Sequence, residues 1–257
     1  MEPQLRIGQA KATPEHLNAI IGLIDEAMEW LPAKGTKQWS KPWPDREARD
    51  ARVWHGLELG ATWIVWEVVC GIAVLAATVT VTGKPNPMVW SPRDFNLGVR
   101  AVYAHRLITA RRYKGWDLGA ELLDWTGRRG RHNYGARSIR IDVWTNNEAL
   151  HGYYVKRGFE KCGTCRDVTY PSGVLLQKPT SKIPFVMNPQ FTESAEVPAV
   201  FSAAGPEDPP YAPRALTAVD PVPLDPGPRA DLYGMRISEI PLDVEEPAVA
   251  GLLAASA

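Results

Sequence analysis

The stretch of this sequence best suited to hold a ligand is Arg111, Arg112, Tyr113, Lys114, Gly115, Trp116, Asp117, Leu118, Gly119 and Ala120. It follows a strand-like run and opens a helix-like one. A helix start presents unpaired N–H groups and the positive end of the helix dipole, a geometry that binds anions such as phosphate. Gly115 and Gly119 allow positive φ or close backbone approach, and Asp117 tolerates positive φ better than most residue types. Arg111, Arg112 and Lys114 add positive charge. Without a Gly-Lys-Ser/Thr ending this is no nucleotide P-loop, and G-x-x-x-G is not the dinucleotide fingerprint. A plain turn with solvated arginines is the competing reading.

A second segment, from Asn147 to Phe159, has the spacing N-x6-Y-x3-G-F through Asn147, Tyr154, Gly158 and Phe159. It joins a helix entry that Asn147 can cap to a glycine placed as a helix stop. Tyr154 reads either as a half-buried core tyrosine or as a proton donor.

These segments need elements to position them. Residues 5–10 alternate as a first strand, and Thr13 before Pro14 marks a helix start whose apolar positions run from Leu17 to Leu31. Residues 32–44 form a loop, and Asp45 opens a second helix to about Leu59. Residues 61–67 and 71–81 are β-branched runs joined by a turn, a hairpin signal. A proline-containing loop over 84–96 leads to a strand over 99–110 and a helix over 118–129. A strand over 139–144, a helix over 147–157 and strands over 159–170 and 174–177 complete the order β-α-α-β-β-β-α-β-α-β-β. That alternation predicts an α/β layer with helices packed on a mixed sheet.

The 257 residues carry 29 Lys+Arg and 29 Asp+Glu, but the neutrality is uneven. Residues 180–257 hold a net charge of −7, leaving +7 on residues 1–179, and 14 of the 23 prolines lie from Pro179 onward while all ten tryptophans precede it. With little aromatic area to bury, the tail cannot offset the entropy of ordering. Residues 1–178 are therefore expected to form the folded domain, and 179–257 a proline-rich acidic extension, mostly disordered. No run of about 18 apolar residues predicts a transmembrane helix. Neither a signal peptide nor a disulfide framework is legible, which points to a cytoplasmic protein.

The two segments together resemble the GNAT superfamily of N-acetyltransferases. Its pattern is a strand ending L-x-V, an R/Q-G-x-G-x-G/A loop with its helix, and a strand leading to N-x6-Y-x3-G-F. The counterparts are Leu107, Ile108 and Thr109; then Lys114 through Ala120; then Asn147, Tyr154, Gly158 and Phe159. The likeness spans roughly residues 4–178. It implies a mixed, mostly antiparallel central sheet flanked by helices, acetyl-CoA as co-substrate without a metal, and an amine acceptor, small molecule or peptide. It also implies a monomer or homodimer. The backbone of Leu107, Ile108 and Thr109 would pair with the pantetheine arm, and the amides of residues 115–120 would hold the pyrophosphate. Asn147 would contact the arm, and Tyr154 would protonate the departing thiolate. Lys114 and Asp117 depart from the pattern. An aspartate aimed at a pyrophosphate would repel it, so its side chain is expected to turn outward or cap the helix.

An amine near pKa ~10 is protonated at neutral pH and cannot attack a thioester until a base removes the proton. His105, just before Leu107, titrates near ~6.5 when unperturbed and suits that task. Asp142, on the following strand, and Glu67, acting through water, are the alternatives. Each has a structural reading: a packed strand histidine, a salt bridge from Asp142 to Arg106 or Arg140, a solvated strand end. Six tryptophans crowd residues 30–66, and Trp39 and Trp43, in the 32–44 loop that roofs the acceptor site in the family, are the pocket candidates. Cys162-Gly163-Thr164-Cys165 lacks the further ligands of a zinc site. The basic run Arg128, Arg129, Arg131 and His132 comes without a recognition module, so no nucleic-acid partner is expected, and the acidic extension is a candidate to cover it. A non-catalytic acyl-CoA-binding or interaction module is the alternative function.

Overall fold

A computed structural model describes residues 4–40, 42, 44–91, 100–185 and 191–202. The elements follow in the order the periodicities predict: β1 (Leu5–Gln9), α1 (Pro14–Trp30), α2 (Arg46–Glu58), β2 (Thr62–Val69), β3 (Ile72–Thr82), β4 (Ala101–Thr109), α3 (Leu118–Tyr134), β5 (Ser138–Val143), α4 (Glu148–Lys156), β6 (Glu160–Thr164) and β7 (Val174–Pro179), with β8 (Phe191–Glu193) added at the end. They build one eight-stranded sheet ordered β6-β7-β5-β4-β3-β2-β1-β8. All neighbours are antiparallel except β4 with β5 and β1 with β8. This is the mixed, mostly antiparallel sheet flanked by helices that the resemblance implies.

Local chemistry explains the boundaries. Thr13 Oγ1 accepts from the His16 amide, and Asp45 Oδ1 accepts from the Ala48 amide at 2.8 Å, capping α1 and α2. Cys70 (φ 50°) and Gly71 (φ 79°) form the two-residue β2–β3 turn, and two successive positive φ values match the twist of a tight hairpin. α3 runs five residues beyond its expected end, to the left-handed Gly135. Gly130 does not break it, because a Cβ there would lie 2.5 Å from Val102 Cγ1, so the glycine lets α3 lie close on β4. The strand expected over 159–170 stops at Thr164. Asp167 Oδ1 accepts from the Thr169 amide at 2.8 Å, a side-chain turn that competes with the ladder.

The packed chain does not end at residue 178. β8 adds in parallel beside β1, and the Ser194 amide donates to the Ile7 carbonyl at 2.8 Å. Further on, Pro198 accepts from His16 Nε2 at 2.8 Å, and Phe201 buries its ring against His16 and Trp66. Ser202 forms a bridge to Val74. Phe191 and Phe201 supply the apolar area that the composition of the extension as a whole obscures. Glu193 of the same segment meets one residue of the basic run of α3, and Thr180 meets another. Glu193 accepts from Trp125 Nε1 at 2.7 Å and pairs with Arg129 at 3.4 Å, while Arg131 donates to the Thr180 carbonyl at 3.0 Å.

Candidate active site

The glycine-containing turn before α3 begins in a short 3-10 turn (Arg111–Tyr113) at the end of β4. Gly115 sits at φ 90° and Asp117 at φ 56°, so both departures from ordinary backbone fall where the sequence permits them. Inside the turn, the Trp116 amide bonds the Tyr113 carbonyl at 3.2 Å and the Ala120 amide bonds the Asp117 carbonyl at 2.9 Å. Of the amides of residues 115–120, those two are thus committed. Leu118 and Gly119 open α3, where helix geometry provides no intrahelical acceptor for their amides. A Cβ on Gly119 would lie 3.1 Å from the Tyr153 hydroxyl, so glycine lets α4 approach the helix start.

Asp117 does not cap α3 with its side chain. It turns to Arg157, at the end of α4, and forms an ion pair. The carboxylate is thereby neutralised. Arg111 and Arg112 also have local contacts. The Arg111 amide donates to Glu26 Oε1 at 3.0 Å, its guanidinium lies over Trp30, and that of Arg112 lies over Tyr113.

β4 explains how a cleft opens in a continuous sheet. His105 pairs with Thr80 and Ile108 with Thr78, so β4 carries one extra residue there, and Arg106 takes φ 47°. Such a bulge bends a strand and increases its twist. β4 and β5 pair only through Ala101–Ser138, Val102–Ile139 and Tyr103–Arg140, then part. Past Tyr103, the β5-facing edge of β4 has no strand beside it among the described residues, and Leu107, Ile108 and Thr109 lie on that stretch. An open strand edge thus leads toward the start of α3.

The gap opens into a cavity of about 190 Å³ lined in part by His105, Leu107, Ile108, Asp142, Tyr154 and Trp39. Two of the three candidate bases meet here. His105 Nδ1 lies 3.2 Å from Asp142 Oδ1, and both side chains are nearly buried. Asp142 Oδ2 accepts from the Tyr170 hydroxyl at 3.0 Å. A carboxylate at Nδ1 favours the tautomer with its proton there and the lone pair on Nε2. The salt bridge considered for Asp142 does not go to Arg140, which donates to the Tyr103 hydroxyl at 3.1 Å and lies over Trp90. Tyr154 packs edge-on against Tyr153 and Phe159. Burial first, then Tyr153 and Asp142, raises its pKa above the ordinary tyrosine value, so the hydroxyl keeps its proton.

Other expected residues lie elsewhere or serve otherwise. Glu67 is buried inside β2, not at a solvated strand end, accepts from the Tyr113 hydroxyl at 2.6 Å and is absent from the cavity lining. Asn147 caps α4 by accepting from the Leu150 amide at 3.0 Å, and its Nδ2 donates to Gln38 Oε1 at 2.7 Å. Both ends of that side chain are held within the protein. Trp39 lines the cavity, whereas Trp43 lies outside the described residues. Cys162 and Cys165 donate to the carbonyls of Leu175 and Met88, at 3.4 and 3.5 Å. Among the described residues no group of three or more potential ligands gathers as for a metal, and no helix is long and apolar enough to cross a membrane. Sequence reasoning missed Tyr170, Gln38, Arg52 and Arg157, and considered Arg106 only as a salt-bridge partner of Asp142. None is a fixed position of a motif, and packing brings them to the site.

Comparison with known proteins agrees with this geometry. The chain is 29% identical over 155 residues to the uncharacterised N-acetyltransferase YesJ of Bacillus subtilis (strain 168), covering 59% of this chain and 81% of the relative. The crystal structure of a GNAT-family acetyltransferase from Listeria monocytogenes 4b F2365 superposes with a TM-score of 0.52 at 22% identity, over 67% of this chain and 93% of that one, a likeness of fold. Residues 23–159 match the model of the acetyltransferase (GNAT) family, a span that contains the turn, the bulged strand, the His105–Asp142 pair and Tyr154. The chain therefore belongs to the GNAT family and is an N-acetyltransferase.

Proposed function

We propose that the chain transfers an acetyl group from acetyl-CoA directly to a primary amine of a small molecule or peptide, with both substrates bound together. The observation that carries this reading is the meeting of the His105–Asp142 pair and Tyr154 in one cavity at the mouth of the β4–β5 gap. Leu107, Ile108 and Thr109 would hold the pantetheine arm along the open edge of β4, the logic of strand addition. The amides of Gly115, Asp117, Leu118 and Gly119 would hold the pyrophosphate, with Lys114 nearby in sequence. Acetyl-CoA supplies the activated acyl group.

The remaining chemistry falls to side chains. His105 takes the proton from the acceptor ammonium, and Asp142, steadied by Tyr170, orients the imidazole and stabilises its charged form. The amine nitrogen bonds the acetyl carbon as the carbon–sulfur bond breaks, and the nitrogen's second proton passes to the departing sulfur, so that CoA leaves as the thiol. Tyr154 faces the charge that develops on sulfur. Burial raises the Tyr154 pKa, so its hydroxyl stays protonated and donates a hydrogen bond to the departing sulfur. No covalent enzyme intermediate is required, and Glu67, locked to Tyr113, is left out of the base assignment.

The test combines calorimetry of acetyl-CoA binding with a CoA-release assay over a panel of amines. The reading expects saturable binding and amine-dependent release that His105→Gln and Tyr154→Phe both depress. Binding without release for any amine, or release indifferent to both variants, overturns it.

A further inference from the structure

The side-chain amide of Asn147 joins two parts of the site. Its Oδ1 accepts from the Leu150 amide at 3.0 Å as the cap of α4, which fixes the amide's orientation and leaves Nδ2 as the donor. Nδ2 donates to Gln38 Oε1 at 2.7 Å, across 109 positions of sequence. The neighbouring hydrogen bonds of this loop are local. The Gly35 amide donates to the Pro32 carbonyl at 2.9 Å, the Gln38 amide to Thr36 Oγ1 at 3.1 Å and the Ser40 amide to the Lys37 carbonyl at 3.1 Å. Among the described residues, the Gln38 side chain therefore ties residues 35–40 to the rest of the domain by a hydrogen bond. The next residue, Trp39, takes φ 54°, a conformation that a bulky side chain keeps only where its surroundings hold it. Gln38 and Trp39 line the cavity that holds His105, Asp142 and Tyr154, whereas Asn147 does not. Asn147 thus reaches the cavity by two routes, through the helix it caps and through Gln38.

We infer that Gln38 and Asn147 are positioning residues for the acceptor: their hydrogen bond holds Trp39 in its left-handed conformation as a wall of the cavity where the amine meets His105. This rests on the amine-acetylation reading above. It assigns Asn147 to the acceptor, in place of the contact with the cofactor arm that the family pattern implies. Without the bond, Trp39 relaxes toward ordinary backbone and the wall leaves its place, so the loss falls on acceptor binding and spares acetyl-CoA.

The experiment uses the full chain and exchanges the donor and acceptor roles of the pair. Asn147→Asp keeps the α4 cap, because aspartate caps as well as asparagine, and Gln38 can turn its amide to donate to the new carboxylate. Gln38→Glu keeps an acceptor for Asn147 Nδ2. The double variant sets two acceptors face to face without a donor, and Gln38→Ala removes the partner. Acceptor KM and kcat are read by CoA release with spermidine, tyramine and glutamate at saturating acetyl-CoA, and acetyl-CoA Kd by calorimetry. The inference expects each conservative single exchange to raise acceptor KM by no more than about threefold, and the double variant and Gln38→Ala to raise it about tenfold. Acetyl-CoA Kd should move by less than about twofold in all of them, and in a Trp39→Ala background Gln38→Ala should add less than about twofold to acceptor KM. An unchanged acceptor KM in Gln38→Ala, a double variant no worse than the singles, or an acetyl-CoA Kd raised more than about threefold overturns the inference while leaving acetyl transfer intact. Trypsin cleavage after the exposed Lys37 reads the loop without turnover. If no amine of the panel is acetylated, cleavage at least about fivefold faster in the double variant and in Gln38→Ala, but not in the single exchanges, upholds the hold of Asn147 on the loop while the transfer reading falls. Equal cleavage rates in that case refute it.

Discussion

Arg157→Gln tests the electrostatics of the turn proposed to hold the pyrophosphate. Asp117 stands at the start of α3 where a glycine is usual in the family pattern, and its carboxylate is matched by Arg157. The side chains are 60% and 26% exposed, so the pair adds only ~0.2–1 kcal/mol to folding after solvent screening. Its effect on an anionic ligand is larger, because removing Arg157 leaves one negative charge beside the amides of Leu118 and Gly119. Taking a separation of ~7 Å and an effective dielectric constant of ~50, each ligand charge is opposed by ~1 kcal/mol. One such contribution is about a fivefold rise in Kd. Calorimetry with acetyl-CoA at low salt should read that rise for Arg157→Gln. Adding Asp117→Gly should reverse it, since the double variant loses the orphaned charge and glycine accepts the φ of 56° freely. At ~1 M salt, where screening acts within ~3 Å, the single variant should approach the parent. An unchanged Kd for Arg157→Gln, or a double variant weaker than the single, refutes this account of the turn.

Tyr154→Phe should lower kcat by about 10- to 100-fold with an unshifted pH profile from pH 6 to 9.5. Burial keeps the phenol protonated throughout that range, so stopped-time CoA-release assays that find the loss only above pH 9 would contradict it. Asp142→Asn should cut kcat/KM by about 100-fold through the wrong imidazole tautomer, while Tyr170→Phe costs less and acetyl-CoA affinity is retained in both. Steady-state kinetics with parallel calorimetry measure this, and equal losses in the two variants would remove Asp142 from the assignment. Gly8→Val should destabilise the fold by ~1–3 kcal/mol, since a Cβ there falls 2.5 Å from Val197 Cγ2 and 2.8 Å from the Ser194 carbonyl. Thermal unfolding reads it, and an unchanged midpoint would mean that residues 194–197 do not hold the sheet edge.

The elements were legible because their signals are local. Thr13, Asp45 and Asn147 cap helices through bonds that span only three residues, and the β2 and β3 runs are joined by a two-residue turn. The positive φ at Gly115 and Asp117 was likewise readable from residue type. Errors arose where a long-range contact overruled a local preference. Glu67 looked like a strand-end carboxylate until Tyr113, 46 residues away, took its oxygen. The segment after residue 178 looked unstructured on average composition, but two phenylalanines sufficed to seat residues 191–202 against the sheet.

The sequence by itself determined the family pattern, the order of elements and the helix-start turn, and it singled out Tyr154, His105 and Asp142 as the candidates proposed to carry the chemistry. All of these depend on residue type and short spacing. Tertiary structure alone decided that His105 and Asp142, 37 positions apart, face each other, that Tyr170 steadies the carboxylate, and that Arg157 neutralises Asp117. It also gathered Arg49, Arg52 and Arg106 around one cavity. A single extra residue in β4 parts two parallel strands and creates that cavity, and neither the bulge nor the set of side chains it gathers has any signature within one stretch of chain.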